Sequence, residues 1–144
     1  MITLYEAIKS ILFSIISRLA LNQVVKGRQS SYQIAKSLAQ NVFQANVVGT
    51  HTSVVIKVAP DTSALFINEA NTYQHSCIAK SPYIRSLREY INNGDSHCLV
   101  LEWMDNTLWE TKEASIQAKV NVFKTVAKSC LEALAVFGDM GGTG

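Results

Sequence analysis

Proline and glycine are scarce in this sequence, whose 144 residues include two prolines and seven glycines. This composition excludes collagen-like and low-complexity proteins, which depend on those two residues. Hydrophobic residues make up 48% of the chain and charged residues 17%. A chain with that balance can bury an apolar core, so we expect one globular domain, or a part of a larger one, rather than disorder.

Residues that form disulfides or bind metals are also few. The three cysteines, Cys77, Cys98 and Cys130, are odd in number and far apart, and the three histidines do not fall at zinc-ligand spacing. These absences exclude a disulfide framework and favour a chain without a metal site in a reducing compartment, the cytoplasm or the nucleus. Because Cys98 and Cys130 lie in apolar stretches, we expect both to be buried small side chains.

Neither the charge nor the hydrophobic runs are extreme. The net charge of +2 is too small to favour binding to nucleic acid. The apolar run at residues 11–16 is bracketed by Lys9 and Arg18. Because a bilayer-spanning helix needs roughly 20 apolar residues, we expect no transmembrane segment.

Apolar residues recur at helical spacing from Leu4 to Leu19, which predicts an amphipathic helix near the N-terminus, with Gly27 as a stop signal beyond it. Cations on such a helix favour anionic interfaces, so a membrane-surface or targeting helix is one interpretation. A helix that docks on the domain or on a partner protein is the other interpretation, and we prefer it.

The central part of the chain shows the alternation typical of strands. Three segments rich in β-branched and aromatic residues predict an antiparallel meander at residues 32–38, 42–48 and 53–58. In the first segment, Lys36 falls on the apolar face, against the pattern. A fourth strand at residues 83–90 and a fifth at residues 97–101 are joined by a predicted hairpin turn at residues 92–95.

Two further helices complete the order. Polar capping residues at 61–63 precede a helical pattern at residues 64–79. Residues 116–137 carry a broad apolar stripe that predicts a long helix, after which glycines end the chain without further structure. The succession of helix, three strands, helix, two strands and long helix predicts an α+β fold with a five-stranded antiparallel sheet.

Five short motifs resemble those of protein kinases and follow the same order along the chain. They are Val42-Phe43-Gln44-Ala45, Val55-Ile56-Lys57, Glu69 within the inserted helix, Ser81-Pro82-Tyr83-Ile84, and Leu99-Val100-Leu101-Glu102-Trp103-Met104. Kinases have, in this order, the strand after the glycine loop, the Val-Ala-Ile-Lys strand, its paired Glu, the turn after that helix, and the strand entering the hinge. The resemblance covers residues 32–137. In the residues of its motifs, the sequence is similar to fungal protein-kinase-like proteins.

The resemblance implies a kinase-like N-lobe with an inserted αC-like helix, followed by a hinge and one long C-lobe-type helix. It divides the chain into three regions: an N-terminal helix and linker at 1–31, the N-lobe and hinge at 32–104, and a partial C-lobe at 105–144. It also implies ATP as the cofactor.

In that resemblance Lys57 binds the α- and β-phosphates of ATP, and Glu69 holds the lysine in place. Apolar side chains and hinge backbone groups would contact the adenine. The implied contacts are Leu38, Val42, Ile56 or Leu101, the carbonyl of Glu102 and the amide of Met104. The plainer alternatives are an edge-strand lysine that discourages aggregation, a solvated helix carboxylate and ordinary core residues.

Two departures from the kinase pattern affect the expected function. The three glycine positions of the phosphate-binding loop hold Ala35, Ser37 and Gln40, whose side chains hinder a close backbone approach to phosphate. The catalytic loop and the metal-binding Asp are missing, which indicates truncation before them, and we interpret Asp139 as a solvated turn residue. The resemblance therefore implies no phosphotransferase activity for this chain.

Three functions remain open at this point. They are an ATP-binding kinase-like fragment, a non-catalytic pseudokinase-type interaction module, and an unrelated α+β domain in which Lys57 and Glu69 are surface charges. An exposed apolar face on the long helix would favour binding of a protein partner or self-association.

Overall fold

The computed structural model describes residues 4, 19–60, 63–94, 96–107 and 115–141. The amphipathic helix expected between Leu4 and Leu19 therefore lies outside the described residues, apart from its two ends. None of the helices within these ranges is both long enough and apolar enough to cross a membrane.

Six strands and three helices follow one another in the described chain. They are β1 (Val24–Lys26), β2 (Ser31–Ala39), β3 (Val42–Val47), β4 (Ser53–Pro60), α1 (Ala64–Gln74), α2 (Ser76–Ala79), β5 (Leu87–Asn92), β6 (Ser96–Glu102) and α3 (Ile116–Gly141). The predicted α+β class, the antiparallel sheet and the long C-terminal helix are confirmed.

All the strands belong to one antiparallel sheet with the order β1-β2-β3-β4-β6-β5. The prediction of five strands is wrong, because β1 lies within residues 1–31, where a helix and a linker were expected. Three residues are too few to show an alternating pattern, and β1 is held by pairing of Val24, Val25 and Lys26 with β2. The interpretation of Gly27 as a helix stop is also wrong, since Gly27 follows this strand.

Three other predicted boundaries differ from the structure. The helix expected at residues 64–79 is divided at His75, whose extended backbone caps the short helix α2. The fourth strand begins at Leu87 rather than at residue 83. The long helix continues through Gly138 to Gly141, because the i to i−4 hydrogen bonds need no side chain at either glycine.

One face of the sheet carries the apolar core. Its buried members come from every strand: Val25, Tyr32, Ile34, Phe43, Ala45, Val47, Val54, Ile56, Val58, Ile91, Cys98 and Val100. The alternation of β2 had placed Lys36 on the apolar face. A register shift between Ile34 and Lys36 adds one residue to the strand there and moves the lysine side chain off the core face.

The chain forms two compact units. The first contains the sheet and the start of α1, through Ala70, together with Leu87–Trp103. The second contains Asn71–Ser86 and the described residues from Met104 onward, and within it α2 lies against α3. The three regions predicted from the resemblance stay a prediction.

The cysteines differ in burial. Cys98 is buried in the core, as expected. Cys130 is exposed on α3, so the expectation that it is a buried side chain is wrong. The apolar stretch around Cys130 reflects an exposed apolar helix face rather than a core.

Candidate functional site

Lys57 and Glu69 form an ion pair between β4 and α1. Because side chains alternate along β4, Val54, Ile56 and Val58 enter the core and Lys57 projects from the opposite face of the sheet. Its Nζ donates hydrogen bonds to both carboxylate oxygens of Glu69, at 2.6 Å and 2.7 Å. A helix is thereby connected to a central strand through a two-oxygen contact.

Helix α1 positions the Glu69 carboxylate by a local capping contact and by burial. The Ser63 hydroxyl accepts a hydrogen bond from the Phe66 amide at 3.3 Å, which caps the first turn as the sequence predicts. Phe66 and Ala70 are buried at helical spacing, which sets the rotation of the helix about its axis. Glu69 precedes Ala70 and reaches Lys57 from there.

The ion pair is only partly shielded from solvent. Each of the two side chains is 33% exposed, so water screens the attraction and the pair adds little to stability. A lysine ammonium has three donor hydrogens, and Glu69 accepts two hydrogen bonds from it. The third donor can therefore bind another anion without breaking the pair.

Apolar side chains occupy the same sheet face as Lys57. Val42 is the partner of Lys57 in the β3–β4 pairing, and Leu101 is the partner of Val55 in the β4–β6 pairing. Leu101 is buried, whereas Val42 is half-buried. Ile56 lies in the core on the other face, which agrees with the alternative of an ordinary core residue.

The remaining predicted contacts are Leu38, Glu102 and Met104. Leu38 lies at a register shift of β2 and is 43% exposed. Glu102 is the exposed last residue of β6, opposite Val54. Met104 is exposed and belongs to the second unit. The structure thus brings together Lys57 and Glu69 and lines their sheet face with Val42 and Leu101.

The turn between β2 and β3 is the segment for which the sequence resemblance implies a glycine loop. It forms without glycine, and Asn41 adopts a positive φ of 58° there. Two register shifts interrupt the pairing of β2 before this turn. Ala35, Ser37 and Gln40, which occupy the three glycine positions of the resemblance, are all exposed.

A second polar cluster, centred on Glu89 of β5, was not predicted from the sequence. The buried Glu89 carboxylate accepts hydrogen bonds from the Tyr32 hydroxyl at 2.7 Å, the Gln29 amide at 3.1 Å and the Arg28 amide. No sequence signal identifies it, because the partners lie 57 to 61 residues away. The cluster joins β5, at one end of the strand order, to the turn that follows β1 at the other end.

The pKa values of the cluster follow from these contacts. Burial acts to raise the pKa of Glu89, but hydrogen bonds from Tyr32 and from the Gln29, Arg28 and Ser30 backbone outweigh it, so the pKa lies below its usual value. Burial, together with the neighbouring Glu89 charge and hydrogen bond, raises the pKa of Tyr32 to about 12. The carboxylate is therefore charged and the phenol neutral at pH 7.

Gly27 makes room for this carboxylate. A Cβ placed at Gly27 would lie 2.3 Å from Oε2 and 2.7 Å from Oε1 of Glu89. Any larger residue there would displace the carboxylate from the turn. The cluster therefore has a structural role, and its charge is already satisfied by its own donors.

A cavity of about 310 Å³ lies between β1 and the hairpin formed by β5 and β6. Its lining is part apolar and part polar: Leu19, Gln23, Val24, Val25, Lys26, Val58, Asn93, Ser96 and Cys98. Burial raises the pKa of the Cys98 thiol to about 11, so the thiol is not a nucleophile at neutral pH. Neither Lys57 nor Glu69 lines this cavity.

No group of three His, Cys, Asp or Glu side chains that could hold a metal ion occurs among the described residues. No protein-family model matches the sequence. No curated protein matches it either.

Among solved structures, the chain is similar to one described as the crystal structure of the BubR1 kinase domain, at 16% sequence identity and a TM-score of 0.45. The match covers 73% of this chain but only 37% of the BubR1 chain. A likeness this weak carries no argument about function.

Proposed function

We propose that this chain is a kinase-like small lobe that binds the phosphates of ATP at Lys57 and does not transfer phosphate. The ion pair between Lys57 and Glu69 carries the proposal. Two hydrogen bonds from one ammonium to one carboxylate fix the lysine side chain and leave one donor for a phosphate oxygen.

The surroundings of Lys57 fit a nucleotide in part. Val42 is half-buried and offers aliphatic contact to a planar base on the same sheet face, whereas Leu101 on that face is covered by protein. The segment from Ala35 to Gln40 lacks glycine, so we expect weak binding that depends on the lysine rather than on backbone amides.

Phosphoryl transfer in kinases is catalysed by positioned metal ions, charge stabilisation and a base from the catalytic loop. Of these parts, the described residues supply the lysine and its carboxylate partner. We therefore propose that bound ATP is held and not consumed.

Thermal unfolding with and without ATP tests the proposal. Millimolar ATP, with and without Mg²⁺, is expected to raise the Tm of the parent protein by about 3 °C, because a ligand that binds only the folded state stabilises it. Lys57→Met should abolish the shift and Glu69→Gln should reduce it, each relative to its own Tm without ATP.

Lys128→Met is the matched control, because Lys128 is an exposed lysine on α3, outside the segments assigned to the site, and its replacement should leave the shift unchanged. No ATP-dependent shift in the parent protein would contradict the nucleotide proposal. An equal shift in Lys57→Met would place the binding elsewhere.

A second candidate is a non-catalytic, pseudokinase-type interaction module. The exposed apolar side chains of α3 favour it, because a surface of that kind is typical of protein interfaces. This function requires no nucleotide, so a protein that associates through α3 but shows no ATP-dependent shift would support it instead of ATP binding.

A further inference from the structure

Helix α3 presents two different apolar faces. Val122, Val126, Ala133 and Val136 are half-buried and recur along one side. A second row, which we call the seam, consists of Ile116, Val120, Phe123, Ala127, Leu134 and Phe137, and every member is exposed. The structure thus leaves the row with the bulkier side chains in solvent.

The seam follows a heptad spacing. When Cys130 is counted between Ala127 and Leu134, the positions from Ile116 to Phe137 are separated alternately by four and three residues, and Gly141 falls at the next position of the series. A repeat of 3.5 residues keeps one stripe of a helix facing a neighbouring helix along its length, as in coiled coils. The seam therefore fits a helix at least as long as α3 itself.

The charges beside the seam select the direction of such a neighbour. In a parallel pair of α3 helices, Lys119 would face Lys124 of the second copy, five residues further along, and the two charges would repel. In an antiparallel pair, each of these lysines lies opposite the apolar half of the other helix. Their alkyl stems could then cover the seam while the ammonium groups reach water.

The antiparallel register also matches residue sizes. When the helices overlap fully, Phe137 of one copy meets Val120 of the other, Phe123 meets Leu134, and Ala127 meets Cys130. The pairs with bulky side chains thus lie towards both ends of the overlap, and the small residues lie at its centre, where the two backbones can approach most closely.

The area of the seam suffices for a specific contact. Its five large side chains are between 40% and 83% exposed. Covering them in both copies would bury on the order of 1,200 Å², which is at the lower end of stable protein interfaces.

From spacing, charge and area together, we infer that the α3 seam pairs with the seam of a second copy of this chain in an antiparallel arrangement. This contact does not depend on nucleotide binding at Lys57. It lies entirely within the second unit.

Analytical ultracentrifugation of three proteins tests the contact. The parent chain is expected to form a reversible dimer at micromolar concentration, and Leu134→Glu should weaken the dimer by at least about tenfold, since it places a charge in the buried seam. Lys128→Glu, on the polar face of the same helix, should leave the association unchanged. Far-UV circular dichroism should be the same for all three, because both positions are exposed.

Disulfide capture tests the direction. In a background with Cys77→Ser and Cys130→Ser, oxidation of a mixture of Val120→Cys and Phe137→Cys chains should yield a mixed dimer, whereas Val120→Cys alone should not cross-link. A parent chain that stays monomeric, or a Leu134→Glu variant that associates as the parent does, would overturn the contact. Cross-linking of Val120→Cys alone would overturn the antiparallel arrangement.

Discussion

At the scale of single residues, Glu89 lies in an environment that disfavours its charge, because its carboxylate is buried and charged at the same time. Such a group is tolerated only when its oxygens accept hydrogen bonds, and here a phenol and backbone amides donate them. Removing the charge while keeping the shape therefore isolates what those donors contribute.

Glu89→Gln should lower the free energy of unfolding at pH 7 by about 1–3 kcal/mol, since donors that served a carboxylate would face a weaker, partly mismatched amide. The parent has a lowered Glu89 pKa in the folded state. Its stabilisation is therefore complete above the ordinary pKa of a glutamate and is lost as the pH falls through the folded-state pKa. Urea unfolding at pH 7 and pH 4 should show a smaller loss on acidification in the variant than in the parent.

Glu132→Gln, on an exposed position of α3, serves as the control and should behave as the parent at both pH values. Equal acid sensitivity in Glu89→Gln and the parent would show that other groups govern stability in acid.

The two polar contacts differ in how far the sequence predicts them. Lys57 and Glu69 are twelve residues apart in adjacent elements, and a motif resemblance was enough to pair them. Glu89 and Tyr32 are 57 residues apart and belong to no motif. Their meeting follows from the sheet topology, which single-sequence patterns do not encode.

At the scale of elements, the length of a strand and the regularity of its pairing determine how well the sequence predicts it. The strands β2, β3 and β4 were each located within two residues. By contrast, β1 has only three residues and was missed, and Lys36 departed from the alternation because β2 contains a register shift beside it. A bulge moves one side chain to the other face, so a strict period of two fails there.

The hairpin between β5 and β6 was predicted from its turn residues and is observed. Gly94 has a φ of 85°, in the left-handed region, and its amide donates to the Asn92 side chain at 2.8 Å. Gly94→Val should lower stability by about 1–2 kcal/mol, because β-branched residues are strained in that region. Gly94→Asn should cost much less, since asparagine tolerates a positive φ.

Thermal melts of the two Gly94 variants provide the measurement. Because a Cβ at Gly94 would meet no atom within 4 Å, a loss of stability reports backbone strain and not a steric clash. Equal melting temperatures for the valine and asparagine variants would contradict the assigned turn geometry.

At the scale of the whole molecule, the three cysteine thiols lie in different parts of the chain and differ in their exposure to solvent. Cys130 is exposed on α3, Cys77 is half-buried, and Cys98 is buried in the core of the sheet. Burial also raises the pKa of Cys98 to about 11, which leaves little thiolate at neutral pH. The sequence did not distinguish these sites, because Cys98 and Cys130 both lie in apolar stretches.

At a protein concentration too low for the α3 seams to pair, a maleimide reagent at pH 7 should label Cys130 first and Cys98 last. We expect labelling of Cys98 to follow unfolding of the sheet, so that its rate rises with urea in step with the unfolding transition. Mass spectrometry of digested samples measures each site separately. Labelling of Cys98 as fast as Cys130 in the absence of urea would contradict the described core.

The contact between Glu89 and the turn after β1 has a kinetic consequence. Neighbouring strands along most of the sheet meet through short connections, whereas this contact closes a loop of about sixty residues. Because local pairs form more readily than such a distant closure, we expect the Glu89 carboxylate to reach the turn late in folding. An interaction that is not yet formed in the folding transition state lowers the unfolding rate and leaves the folding rate almost unchanged. We therefore expect this single side chain to lengthen the lifetime of the folded sheet.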